Sequence, residues 1–188
     1  LFVFGEIKAQ ESPFQIYLEP LDIPEVGGLQ VFAVGQHNGK WLILGGRLDG
    51  LHQRQPWASF SVEGMNNQII VIDVVNKQKW TAPLTSLSVA LQEQLSSTNM
   101  EFQQYEDILY FVGGYGYSET AQNHVTHNKL TAIDVPATID AIINNKPFSA
   151  FFRQISDMQF AVTGGYLNKV YDTYYWVGGN KFDGRYNP

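Results

Sequence analysis

Cysteine is absent from this sequence of 188 residues. With it go disulfides, thiolate nucleophiles, zinc ribbons and iron–sulfur clusters. The absence assigns no compartment, because many periplasmic and secreted proteins also lack cysteine. Charge is scarce as well: 16% of residues are Asp, Glu, Lys or Arg, against roughly 25% in an average domain. The 12 basic residues are outnumbered by 18 acidic ones, for a net charge of −6, and no basic stripe is readable. A nucleic-acid binder draws its affinity from phosphates neutralised by Lys and Arg, so the composition argues against one. Long apolar runs are also missing, and nothing approaches the roughly 18 apolar residues of a membrane-crossing helix. What is present is 44% hydrophobic and 14% aromatic residues. That composition excludes disorder, and the length allows one or two domains with a sizeable core.

The chain opens Leu1-Phe2-Val3-Phe4-Gly5-Glu6-Ile7-Lys8-Ala9-Gln10, a stretch with two readings. One is the tail of a secretory signal, with Ile7-Lys8-Ala9 as a small-residue cleavage site. The other is an ordinary strand of alternating apolar residues, which Glu6 favours because it fits poorly in a signal's apolar segment. Residues 1–13 are set apart on this basis as an N-terminal segment.

Internal repetition decides the rest. Trp41-Leu42-Ile43-Leu44 runs into Gly45-Gly46, Ile108 to Val112 into Gly113-Gly114, and Tyr174 to Val177 into Gly178-Gly179. The pairs start 68 and then 65 residues apart. A fourth pair, Gly164-Gly165, follows Gln159 to Thr163 out of phase. Downstream of the first two pairs stand apolar strands ending in Asp, Gln68 to Asp73 and Lys129 to Asp134, and the first is followed by Trp80. Upstream of each pair a short strand is readable at Leu29 to Val34, Met100 to Tyr105 and Met158 to Thr163. An outer strand precedes each of these, at Phe14 to Leu18, Lys79 to Ala82 and Phe151 to Ile155. Enrichment in β-branched and aromatic residues, with Gly- and Asn-rich turns, predicts an all-β chain of four-stranded antiparallel meanders.

The arrangement resembles the kelch repeat: an apolar strand ending in Gly-Gly, a strand ending near Tyr or Asp, and a Trp some residues later. Gly45, Gly46, Asp73 and Trp80 hold those places in the first repeat. The second has Gly113, Gly114 and Asp134 without the Trp, and the third has Gly178 and Gly179. The segments Arg47 to His52 and Asn180 to Asn187 look like the post-diglycine loops of bacterial, galactose-oxidase-like kelch proteins. The resemblance covers about Phe14 to Pro188 and implies β-propeller blades at 14–80, 81–150 and 151–188. Fewer than three blades fit this length, whereas closed propellers need about four or more. The expectation is therefore an incomplete propeller, part of a larger one or one completed by another chain.

A minimal kelch repeat is about 50 residues, so each repeat carries extra chain. The surplus falls in Arg47 to Asn67, Tyr115 to Asn128 and Pro83 to Asn99, connections that alternate onto one face of a meander. That face is the candidate functional face. Two short helices are predicted. Leu87, Ala90, Leu91 and Leu95 have helical spacing within Ser86 to Ser96, and Pro136 suits the first turn of a helix over Ala137 to Ile143.

The post-diglycine loops carry the candidate binding residues. The first offers Arg47, Asp49, His52, Arg54 and Trp57, the second Tyr115, Tyr117, Glu119, His124 and His127, and the third Asn180, Lys181, Asp183, Arg185 and Tyr186. Rings beside Asp, Asn and Arg suit a sugar, whose apolar face stacks while its hydroxyls take hydrogen bonds. They equally suit a protein loop, since Tyr, Trp and Arg dominate interface hot spots. The plain alternative is that Arg47–Asp49 and Asp183–Arg185 brace their own loops. His124 and His127 lack a carboxylate at metal-ligand spacing, and no metal or other cofactor is expected. The copper radical centre of the oxidase branch needs a Cys cross-linked to Tyr, which this chain does not have. The expectation is a non-catalytic, extracytoplasmic binding module for a glycan or a protein. The alternatives are a mutarotase- or epimerase-like sugar enzyme, using acid–base groups such as His52, Glu119 or Arg185, and a structural subunit that completes a propeller with another chain.

Overall fold

The computed structural model describes residues 14–50 and 59–184. β1 (Ala33–His37) and β2 (Lys40–Leu44) form a hairpin, followed by β3 (Gln68–Asp73) and β4 (Gln78–Pro83). α1 (Val89–Leu95) leads into a second hairpin, β5 (Glu101–Tyr105) and β6 (Ile108–Val112). A small hairpin of β7 (Tyr115–Ser118) and β8 (Asn123–Thr126) comes next, then β9 (Lys129–Asp134), α2 (Val135–Ile143) and β10 (Phe152–Ser156). β11 (Tyr166–Val170) and β12 (Thr173–Val177) form a last hairpin. The sheets run β1-β2-β3-β4 and β5-β6-β9-β10, with β7-β8 and β11-β12 as two-stranded pairs, and every pairing is antiparallel. The fold is thus mainly β, built from four-stranded meanders, with two short helices in their connections.

The repetition is visible atom by atom. Ahead of each hairpin a residue forms an antiparallel bridge with the residue that follows the diglycine: Gln30 with Arg47, Thr98 with Tyr115, and Thr163 with Asn180, each pair 17 positions apart. The next residue is left-handed in all three units: Val31 (φ 51°), Asn99 (φ 55°) and Gly164 (φ 69°). Gly164-Gly165 therefore stands where the other units have Val31-Phe32 and Asn99-Met100, which explains why it is out of phase. Units are also stitched to one another at equivalent atoms. Gly46 donates its N–H to the carbonyl of Ser97 and Gly114 to that of Val162, both at 2.9 Å. A Cβ on Gly113 would collide with the Val162 carbonyl, so the diglycine is required by the close passage of the next unit as well as by its own left-handed backbone.

Strand alternation gives each sheet two faces, and the faces stack in one order. Leu42, Leu44, Ile69 and Val71 of the first sheet pack with Leu109, Phe111 and Ile133 of the second, and α1 and α2 add Leu91, Leu95, Ile139 and Ile142 to this core. Trp80 lies against the same core, where a large ring buries the most area. The other face of the first sheet, with Ile43, Ile70 and Ile72, is covered by Ile23, Val26, Leu29 and Phe32. The other face of the second sheet meets β11–β12: the Tyr110 and Tyr174 rings lie 5.1 Å apart, and the Lys169 ammonium sits 3.2 Å over the Tyr105 ring. Between β1 and β5 the Gln104 amide donates to the Gln36 carbonyl (2.9 Å) and accepts from the Gln36 N–H (2.6 Å). The first strands of the three units thus neighbour one another in turn.

Four strand assignments from the sequence need correction. The sequence pattern sets Lys79 to Ala82 at the head of the second repeat, but the segment lies within β4 and pairs with β3 (Asp73 opposite Gln78), so the first sheet runs through Pro83. Phe151 to Ile155 likewise falls largely in β10 and pairs with β9 in the second sheet. Phe14 to Leu18 is exposed and non-strand, and the fourth strand of the first sheet is β4, beside β3. Met158 to Thr163 is not a strand: Met158–Phe160 is a single helical turn, capped by the Asp157 side chain accepting from Gln159 N–H, and the strand proper is β11. The two helices fall where expected. α2 starts on Asp134, whose carboxylate accepts from Ala137 N–H, with Pro136 in its first turn. The N-terminal segment 1–13 lies outside the described residues. Among the described residues no helix is long and apolar enough to cross a membrane.

Candidate functional site

The connections after the three diglycine pairs meet on one side of the molecule. Phe60 from the first unit, Tyr115 from the second and Phe182 from the third form a ring cluster: Phe60–Tyr115 5.0 Å, Tyr115–Phe182 4.7 Å and Phe60–Phe182 5.8 Å between centroids, all edge-on. Two hydrogen bonds lock the units across this cluster. The Thr126 hydroxyl donates to the Phe182 carbonyl at 2.6 Å, and His124 Nε2 lies 2.5 Å from the Phe60 carbonyl. A carbonyl can only accept, so His124 donates through Nε2.

Arg47 and Asp49 pair with one another inside the first loop. Arg47 is 5% exposed; its guanidinium forks onto the Asp49 carboxylate, donates to the Ser61 carbonyl at 3.0 Å and sits over the Phe60 ring. This bidentate pair ties Arg47 to Asp49 within the first loop. Tyr115 is buried in the ring cluster. Asn180 makes the backbone bridge to Thr163. Tyr117 and Glu119 border a separate groove of about 350 Å³ beside α1, and the Glu119 carboxylate accepts from Gln122 at 3.0 Å. His52, Arg54, Trp57, Arg185 and Tyr186 lie outside the described residues.

Lys181, Asp183, His124 and His127 do come together, in a cleft of about 520 Å³ between α1, the β7–β8 hairpin and the segment after Gly179. Glu93 of α1 and Lys129 of β9 complete its charged lining. Burial opposes ionisation of Glu93, but the Thr120 N–H and hydroxyl, both at 2.8 Å, outweigh it and hold the carboxyl below its ordinary range. His127 is buried, and loss of hydration pushes its pKa down to about 4 against the pull of Glu93. It is therefore a neutral imidazole at neutral pH. Its Nε2 has no hydrogen-bond partner among the described residues. His124 Nε2 is engaged by the Phe60 carbonyl. Among the described residues no three His, Asp or Glu side chains form a metal-holding group.

Sequence reasoning missed Glu93, Lys129, Phe60 and Phe182. Phe182 sits between Lys181 and Asp183 and was open to the same argument as the other loop rings. Glu93 carried no such signal, because its place is fixed by a long-range anchor. Gln94, next to it and fully buried, donates to the carbonyls of Gly113 (3.2 Å) and Lys129 (3.0 Å) and accepts from the Thr131 hydroxyl (2.5 Å) and the Gln154 amide (3.0 Å). That network pins α1 to the second diglycine and presents Glu93 to the cleft. No protein-family model matches this chain, and a search of curated proteins finds no match either.

Proposed function

We propose that this chain is a kelch-type propeller segment acting as a non-catalytic, extracytoplasmic binding module, whose loop-rich face takes a glycan or a protein. The carrying observation is the convergence of the three post-diglycine connections around one aromatic cluster and one cleft. Equivalent positions along a repeat reach a common place only when the units are arranged about a common line, and loops gathered there are where such scaffolds bind. The kelch assignment draws on the recurring bridge, left-handed residue, hairpin and diglycine of each unit. The extracytoplasmic placement rests on the secretory-like pattern of the first ten residues. The test is a glycan array run beside affinity capture from a cell-surface extract, with Lys181→Ala/Asp183→Ala as the loop-face variant. Binding that falls in the variant supports the reading, and binding indifferent to it contradicts the reading.

A second reading, a subunit that assembles edge to edge with another chain, draws on the last hairpin. β12 pairs only with β11 among the described residues, and Tyr166, Tyr175 and Val177 on the hairpin's outer face are exposed. Such an edge and face invite pairing with a further sheet. Sedimentation at several concentrations separates the two readings, because a strictly monomeric chain counts against the second.

A further inference from the structure

We propose that the cleft beside β8 is a subsite for an uncharged, hydroxyl-bearing ring, a neutral sugar unit, with Nε2 of His127 as its hydrogen-bonding anchor. This rests on the reading of the loop face as a binding surface, and narrows it to one cleft and one chemical class.

Internal repetition carries the argument. Asn66 and His127 occupy the same place, two residues before the third strand of their sheets. Each donates its backbone N–H to the second glycine of its own pair, Asn66 to Gly46 (3.1 Å) and His127 to Gly114 (2.8 Å). Asn66 then uses its side chain on the fold: its amide donates to the Gly45 carbonyl (3.0 Å) and its oxygen accepts from Gln68 N–H (3.1 Å). In the second unit the equivalent Gly113 carbonyl is taken by Gln94. His127 is released from that duty, yet it lines the cleft at 4% exposure, and its buried Nε2 has no hydrogen-bond partner among the described residues. An unsatisfied buried nitrogen burdens the fold, and a ligand hydroxyl relieves it.

The rest of the lining selects the class. Glu93 and Asp183 balance Lys129 and Lys181, so no surplus charge waits for an ion. Glu93 is engaged with Thr120, and Lys129 with the Ser156 hydroxyl at 2.7 Å. Phe182 and Met158 supply apolar surface. Apolar wall, balanced charge and a neutral buried imidazole together match a ring with one apolar face and several hydroxyls.

The test is NMR of the ¹⁵N-labelled chain titrated with methyl glycosides of glucose, galactose, mannose and N-acetylglucosamine, with inorganic phosphate and spermidine as charged probes. At least one glycoside is expected to move the His127 ring nitrogen resonance saturably. Its affinity should fall about tenfold or more in His127→Leu, the loss of one buried hydrogen bond, and recover in part in His127→Gln. Both unliganded variants should melt close to the parent, which separates lost binding from lost folding. No saturable shift with any glycoside overturns the proposal, as does a shift produced preferentially by phosphate or spermidine. Glycoside binding that survives His127→Leu also overturns it while leaving the binding-module reading intact. That reading falls only if protein capture on the loop face fails as well.

Discussion

The two complete sheets share one backbone frame and fill it differently. Where the first has Asn66, with both side-chain atoms tied to Gly45 and Gln68, the second has His127, which lines the cleft and whose buried Nε2 has no partner among the described residues. Where β3 ends on Asp73, the carboxylate accepts from Val75 N–H, Asn76 N–H and the Asn76 amide and closes a tight turn into β4. Where β9 ends on Asp134, the same carboxylate caps α2. Asp at a strand end offers acceptors to whatever N–H groups follow. Val74-Val75-Asn76-Lys77 brings them back at once, while Val135-Pro136-Ala137-Thr138 sets them in a helical turn. The first sheet is closed upon itself, whereas the second is opened by a helix, a hairpin and an outside anchor. The cleft lies beside the second, because groups that hold the fold together in the first are there held by other residues.

Breaking the shared frame should have the largest effect. Gly113→Ala imposes a side chain on a left-handed residue and drives it into the Val162 carbonyl. A loss of about 3 kcal/mol or more is expected in urea unfolding. Removing the second sheet's outside anchor comes next. Gln94→Leu strands the Gly113 carbonyl, leaves the Lys129 carbonyl with the Gly113 N–H alone and takes the acceptor from the Thr131 hydroxyl, and should cost about 2 to 4 kcal/mol. It should also loosen α1, seen as faster hydrogen exchange at Thr120, whose N–H is held by Glu93.

Acid should act on the first sheet through Asp73. The Asn76 backbone N–H first, then its side-chain amide and Lys40, hold the Asp73 pKa down to about 2. A carboxylate with a depressed folded pKa stabilises the fold above its unfolded value, about 3.9, and loses that contribution as pH falls through the folded value. The Asp73 share should therefore be complete above about pH 4 and disappear towards pH 2, and a pH series of melting curves for parent and Asp73→Asn should converge over that interval. The smallest effect is a gain. Val31 is β-branched and left-handed where the other units have Asn99 and Gly164, so Val31→Gly should stabilise by about 0.5 to 1 kcal/mol.

Much of this frame was readable before any coordinates. The glycine pairs marked the unit length, Leu87 to Leu95 the first helix, and Asp134 with Pro136 the second. The phase of the outer strands was not readable, because alternating residues such as Lys79 to Ala82 look the same whether they pair backwards or forwards. The turn at Asn76-Lys77, with Lys77 left-handed (φ 54°), settles it backwards. Of the site, Lys181, Asp183, His124 and His127 were legible as polar groups in equivalent loops. Arg47 looked identical on paper and proved internal, since only the folded loop reveals Asp49, Ser61 and Phe60 around it. Glu93 was invisible for the same reason, being placed by Gln94 contacts that span 19 and 35 positions.

The contrast between Asn66 and His127 is tested most directly by unfolding the ligand-free Asn66→Leu and His127→Leu variants side by side in urea. The account expects Asn66→Leu to lose about 1 to 3 kcal/mol, because the Gly45 carbonyl and Gln68 N–H are left unpaired, and His127→Leu to stay within about 0.5 kcal/mol of the parent or to gain. Equal losses in the two variants would mean that His127 holds the fold as Asn66 does, and would contradict it.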